Sequence, residues 1–222
     1  MQTGINPSGR AVEWRNLYPI PRMPELLVLD EEIDEEMRTK PSVTQILDPF
    51  YSFPTMARGH LAAAMMRGTV VDQAAAAYVR GLPSIVFPEY QGHVDSFCSW
   101  FDLTVLKVIL NHERLYAPDF HGELDFVFII KGDVFDGTGE PYGIPSLWDL
   151  KTPIQEGPTW CAQIAAYKYL VEKIKGIMIG RCYALQTQAD GSIAKATEYT
   201  DSPRDLAAFM NAKAAWRYFN GT

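Results

Sequence analysis

The chain has 222 residues, enough for one domain with one sizeable core. Its composition, 47% hydrophobic and 21% charged, is that of a globular protein, and no apolar run approaches the ~20 residues of a membrane-spanning helix. A formal charge of −7 argues against non-specific coating of nucleic acid, but not against chemistry on DNA, because a metal-binding carboxylate cluster is itself acidic and a basic groove can be local.

In chain order, residues 1–24 are rich in Pro and Gly without periodicity and are expected to form an irregular arm. The opening MQTGINPSGRAVEW lacks an apolar h-region, so no signal peptide is expected. DEEIDEEMR (30–38) is an acidic run, expected as a solvated face or mobile segment. The arm and this acidic segment make up residues 1–41, and a single domain is expected over 42–222. Ser42-Val43-Thr44-Gln45 predicts a helix start, with Ser42 or Thr44 as cap and Ile46, Leu47 and Phe50 apolar behind it. The Ala-rich stretch 58–80 predicts one long helix with Gly68 in its middle, a cost of about 1 kcal/mol relative to Ala, and Gly81-Leu82-Pro83 stops it. A second helix is expected over 94–110, its apolar face made of Phe97, Trp100, Phe101, Val105, Leu106, Ile109 and Leu110.

From residue 112 the period changes. Two strands are expected, the second a near-continuous apolar run from Leu124 to Ile130, as in a sheet covered on both faces. The turn cluster 131–143 predicts a hairpin to a short strand, Ser146 to Lys151. A helix over Thr159 to Lys175, a strand over Ile177 to Gln186, a polar turn at Ala189-Asp190-Gly191, an edge strand up to Tyr199 and a last helix over 204–219 capped by Ser202-Pro203 complete the reading. This order predicts an α/β fold with a mixed sheet. Cys98, Cys161 and Cys182 are odd in number and far apart, which suits reduced thiols in the cytoplasm and gives no zinc pattern.

Asp149 and Lys151 are two apart, so on a strand they share a face, while Leu150 points to the core and leaves its carbonyl available as a ligand. Asp125 follows Gly122 on the strand the hairpin sets beside Asp149, and Glu113 lies one strand earlier. Hard oxygen donors that hold Mg²⁺ or Mn²⁺ beside a lysine are what phosphodiester hydrolysis needs, because a water must be made nucleophilic and charge on the phosphate offset. Each of these residues alone reads as an ordinary strand-end polar group. Together they read as a site, because charges in a buried-looking strand are rarely tolerated without a role. Gln163 and Tyr167 share one face of the following helix.

The ordered set Gly122/Asp125, Asp149/Lys151/Thr152 and Gln163/Tyr167, in GELDFVFIIKG, LWDLKT and WCAQIAAYKYL, resembles the PD-(D/E)XK nuclease superfamily. Within it, the set looks like the RecB-like branch, with phage recombination exonucleases and the CRISPR-associated four-cysteine nucleases. Ser42 to Leu47 resembles that branch's opening helix, so the resemblance covers residues 42 to about 186. It implies a restriction-endonuclease-like core: a mixed central sheet flanked by helices, with an extra N-terminal helical part. It implies that Asp125 and Asp149 bind the metal with help from the Leu150 carbonyl, that Lys151 is the catalytic lysine, that Glu113 is the upstream acidic residue, and that Gln163 and Tyr167 steady the site or contact the DNA backbone. In that branch a histidine ligand often follows an Arg-Gly pair on the early helix; here Arg67-Gly68 leads to Asp72, which either takes that place or is a surface residue. His60 reads as structural, and His93 is of unknown position. Three scattered cysteines cannot hold an iron–sulfur cluster, so none is expected.

The expected function is a Mg²⁺- or Mn²⁺-dependent DNA exonuclease of phage or prophage recombination and repair. Its substrate would be linear duplex DNA or its ends. A single-strand annealing protein and further copies of the chain are candidate partners, and no membrane partner is expected. The alternative is an endonuclease or DNA-end-trimming enzyme on the same site. A non-catalytic DNA-binding module is a third reading, disfavoured by the intact Asp125, Asp149 and Lys151. Arg58, Arg67, Arg80, Arg114, Lys131 and Lys168 are candidates to line a groove, and Tyr90, Trp100, Trp148 and Trp160 are candidates to stack on bases or to fill the core.

Overall fold

The computed structural model describes residues 39–51, 58–135, 142–153 and 155–221, together with a two-residue ladder between Gly4–Ile5 and Ala11–Val12. The acidic run and most of the N-terminal arm lie outside the described residues.

A five-stranded mixed sheet forms the centre: β1 (Val105–Tyr116), β2 (His121–Ile130), β3 (Ser146–Lys151), β4 (Arg181–Gln186) and β5 (Lys195–Glu198), in that spatial order. Neighbours are antiparallel except β3 and β4, which run parallel, Asp149 beside Ala184 and Lys151 beside Gln186. The parallel pair needs a crossover, and helix α4 (Trp160–Leu170) supplies it. The remaining helices are α1 (Val43–Leu47), α2 (Arg58–Val79), α3 (Gln91–Thr104) and α5 (Ser202–Asn220).

The sheet is covered on both faces, as the apolar run in β2 predicted. On one side α1, α4 and α5 pack Val43, Ile46, Ile164, Leu170 and Phe209 against Leu124, Val127, Leu147 and Ala184. On the other, α2 and α3 pack Ala75, Val79, Phe97 and Trp100 against Phe126, Phe128, Trp148 and Leu185. The second core is aromatic: Phe97 stacks on Phe126 at 5.4 Å, and Trp148 on Tyr183 at 4.1 Å. Among the described residues no helix is long and apolar enough to cross a membrane.

Several sequence expectations need correction. The helix expected over 94–110 ends at Thr104, and Val105 to Leu110 belong to β1. Their apolar positions fit a helical face, but the stretch contains two valines and an isoleucine, and pairing with β2 prevails. Phe50 is exposed rather than apolar backing for α1. The hairpin expected across 131–143 is present, since His121–Ile130 and Ser146–Lys151 pair antiparallel, and its described residues add a 3-10 segment, Lys131–Asp133, and a two-residue ladder of Val134–Phe135 with Tyr142–Gly143. The strand expected from Ile177 begins at Arg181. The cap of α5 is Asp201, whose carboxylate accepts from Arg204 N, with Pro203 in the first turn. At α1 the choice between Ser42 and Thr44 resolves to Ser42: its Oγ accepts from Gln45 N at 3.1 Å while Gln45 Oε1 accepts from Ser42 N at 2.8 Å, a capping box.

One irregularity positions the site. Along β2, Gly122 and Leu124 face α4, whereas Phe126 and Phe128 face α3, so the alternation of sides reverses at Asp125. On β1, Asn111 pairs with Phe126 and Glu113 with Leu124, which sets His112 opposite Asp125. His112 has φ 52°, a left-handed backbone that costs a non-glycine residue about 1–3 kcal/mol.

Candidate active site

β3 brings Asp149 and Lys151 to the α4 side of the sheet, in step with Leu147. Asp149 is 1% exposed, and its Oδ2 forms a buried ion pair with Lys151 Nζ. Asp125 is anchored from β2: its Oδ2 accepts from Leu150 N at 2.6 Å. α4 completes this side. Lys151 Nζ donates to Gln163 Oε1 at 3.2 Å, and Gln163 Nε2 donates to Tyr167 OH at 3.1 Å. The Lys151 ammonium also lies 5.5 Å from the Trp160 ring centre.

From the opposite layer α2 supplies Asp72. Its Oδ1 lies 3.3 Å from His112 Nε2. The three aspartates act on one another. Burial, then the charges of Asp149 and Glu123, push the Asp72 carboxyl up to about 7. Burial, then Asp149 and Asp72, hold Asp125 well above the ordinary carboxylate range. Burial also raises Asp149, and Lys151 pulls it part of the way back. Burial alone would lower Lys151, but the charges of Asp149 and Asp125 outweigh it and hold the ammonium above its usual value. Burial pushes the His112 imidazole down to about 4, so it is neutral at neutral pH.

Asp72, Asp125, Asp149, Lys151, Gln163 and Tyr167 are thus brought together, and the Leu150 backbone lies among them. Glu113 is not. It faces the α4 side opposite Leu124, and its carboxylate pairs with Lys175. The acidic residue of this hairpin that does bear on Asp72 is Glu123, which also accepts from Arg114 Nε at 3.1 Å.

Other sequence candidates take structural places. Trp100, Trp148 and Trp160 are core residues and Tyr90 is half-buried, which removes the three tryptophans from base stacking. Lys131 caps the end of α3 by donating to Asp102 O at 2.7 Å and Leu103 O at 3.0 Å. His93 is buried, with Nδ1 2.8 Å from Thr187 Oγ1. The Arg58 and His60 side chains lie outside the described residues. Cys98, Cys161 and Cys182 are free thiols.

Two residues near the site escaped the sequence reading. Tyr51, after α1, is close enough for its phenol to respond to Lys151 and Asp149, although burial dominates and raises it. His112 gave no motif signal; only its position opposite Asp125 and its left-handed backbone distinguish it.

The donor chemistry suits a hard divalent cation. Burial raises Asp149, Asp125 and Asp72 together, and charge from neighbouring aspartates adds to it at Asp125 and Asp72, a repulsion that a bound cation would relieve. Among the described residues no three His, Cys, Asp or Glu side chains are grouped so that they could hold a metal ion. The oxygen donors on adjacent strands are those of Asp125, whose Oδ2 accepts from Leu150 N, and of Asp149. Comparison of the chain with protein-family models and with curated proteins gave no match.

Proposed function

We propose that the chain is a metal-dependent deoxyribonuclease of the PD-(D/E)XK type, built on a restriction-endonuclease-like core and acting as an exonuclease on linear duplex DNA in phage or prophage recombination. One observation carries the reading: Asp125 and Asp149, from adjacent strands, meet beside Lys151, which Gln163 holds from the crossover helix.

Asp125 and Asp149 would hold Mg²⁺ or Mn²⁺, with the Leu150 carbonyl and Asp72 as further oxygen donors. The cation would supply a water ionised near neutral pH and neutralise charge growing on the phosphate oxygens. Lys151 is protonated at neutral pH, so its part is that of a donor: it orients a water or a phosphoryl oxygen and offsets negative charge. Gln163 fixes the direction of that ammonium, and Tyr167 fixes Gln163. Expected partners are DNA and, from the type of activity, a single-strand annealing protein, with action in the cytoplasm of the host cell.

The test is digestion of end-labelled linear, closed circular and single-stranded DNA with Mg²⁺ or Mn²⁺. Degradation of the linear duplex and resistance of the circle are expected, together with loss of activity in Lys151→Ala and Asp125→Asn. Undiminished digestion by either variant overturns the assignment, and cleavage of the circle replaces exonuclease with endonuclease.

A further inference from the structure

Two cavities share the exposed edge of α1, where Thr44 and Gln45 line both. The larger, about 600 Å³, has Lys40, Arg114 and Glu123 in its lining and Tyr167 in its wall. Tyr167 OH accepts from Gln163, the residue that holds Lys151, so this cavity borders the site. The smaller, about 390 Å³, is walled by two rings, Tyr51 after α1 and Trp216 of α5, with Asp48 also in its lining. Its size lies within the range of small-ligand pockets. Of the described tryptophans, Trp216 alone is not buried.

The two rings have a firm support. α1 is seated by Val43, Ile46 and Leu47 and α5 by Phe209 and Ala212, all buried, and Tyr51 and Trp216 lie half-buried against the same core. A ring held in this way is a stacking surface, because little conformational freedom is left to lose. The polar groups around the rings are of both kinds. The Asp48 carboxylate accepts, and Gln45 Oε1 is taken by Ser42 N, which leaves the amide nitrogen of Gln45 to donate. Asp48 carries the one formal charge of this lining, so the cavity disfavours a phosphate, whereas the larger cavity sets Lys40 and Arg114 against a single carboxylate, Glu123. A planar group with donor and acceptor edges, carried on an anionic backbone, fits this division of charge. We propose that the smaller cavity is a subsite for the base of an unpaired nucleotide, with Trp216 as its stacking residue. Paired bases are already stacked within a duplex and offer no open face, so a single-stranded stretch or a frayed end is the form that enters. The inference rests on DNA as the substrate in the reading above.

The test is binding of a fluorescently labelled single-stranded oligonucleotide to the full chain in EDTA, read by anisotropy, beside the same oligonucleotide with abasic sites. Loss of a stacking ring costs about 5- to 150-fold per base, and Trp216→Ala should weaken binding of the ordinary strand by that factor. Trp216→Phe, which keeps a ring, should recover most of it. With the abasic strand, wild type and Trp216→Ala should bind alike. If Trp216→Ala does not fold, Trp216→Leu, which keeps an apolar contact with the core, makes the same comparison. Undiminished binding by the variant without a ring, an equal loss on both strands, or no binding of the ordinary strand by wild type overturns the proposal. Digestion with Mg²⁺ or Mn²⁺ is scored apart. A chain that binds through Trp216 but digests no DNA keeps the subsite and loses the nuclease. A chain that digests linear duplex while Trp216→Ala binds undiminished keeps the nuclease and loses the subsite.

Discussion

Gln163 fixes Lys151 from the crossover helix: its Oε1 accepts from Nζ at 3.2 Å, and the opposite end of the same amide donates to Tyr167 OH at 3.1 Å. The two bonds set the amide's orientation, with oxygen towards the ammonium. Gln163→Leu keeps the volume and removes both bonds. It should lower the single-turnover rate of DNA digestion about 10- to 100-fold with little change in KM, and reduce stability by about 1–2 kcal/mol. A wild-type rate in that variant would leave Lys151 held by Asp149 alone.

The Asp149 and Lys151 pair is buried, so Lys151 substitutions cost stability as well as charge. Removing one partner of a buried pair costs about 3–5 kcal/mol, because the other charge is left uncompensated. Lys151→Met should therefore unfold at lower urea in EDTA, and Asp149→Asn/Lys151→Met should regain much of the loss. A double variant no more stable than Lys151→Met would show that the pair is not the source.

The three aspartates predict a pH dependence. Asp72 is raised to about 7, chiefly by burial, so the folded chain takes up its proton more readily than the unfolded chain. That contribution stabilises at low pH and is lost as pH rises through about 7. His112, lowered to about 4, acts in the opposite direction, costing stability as pH falls below its ordinary 6.5, but it is common to wild type and Asp72→Asn. The Tm of Asp72→Asn minus that of wild type, measured in EDTA, should be small near about pH 4, grow positive as pH rises to about 7, and level off above it. A difference that is flat with pH would count against a half-buried Asp72 repelled by its neighbours.

Gly122 lies directly beneath α4. A Cβ there would sit 2.8 Å from Tyr167 Cε1 and 3.0 Å from Leu170 Cδ1. Gly122→Ala must push the helix or its tyrosine outward, at a cost of about 1–3 kcal/mol. Activity should fall further than Tm, because Tyr167 carries the hydrogen bond to Gln163. Denaturation and digestion measured on one preparation check both parts.

The central stretch was legible because its residues combine local spacing with strong strand and turn signals. Asp149 and Lys151 share a face by the two-residue period, and Gln163 and Tyr167 by the four-residue helical step. The same regularity misled the reading elsewhere. Glu113 was assigned to the site from adjacent strands; it shares the α4 side with Asp149 and Lys151, but its carboxylate pairs with Lys175. A backbone φ has no signature in one sequence, so the reversal at His112 and Asp125 was hidden. Val105 to Leu110 failed differently: an apolar run that suits either period is decided by its partner strand, which lies about twenty residues further on.

The site is assembled from contacts of increasing reach along the chain. The Lys151–Gln163 bond closes a separation of 12 residues within the β3–α4–β4 unit, Asp125–Leu150 closes 25, and Asp72–His112 spans a longer stretch still. Loop-closure entropy grows with that distance, so the lysine cradle can form as soon as its own unit condenses, while Asp72 joins only when α2 docks on the finished hairpin. Newly made chain would therefore hold its lysine in place before Asp72 joins, so the cluster is complete only at the last step of folding.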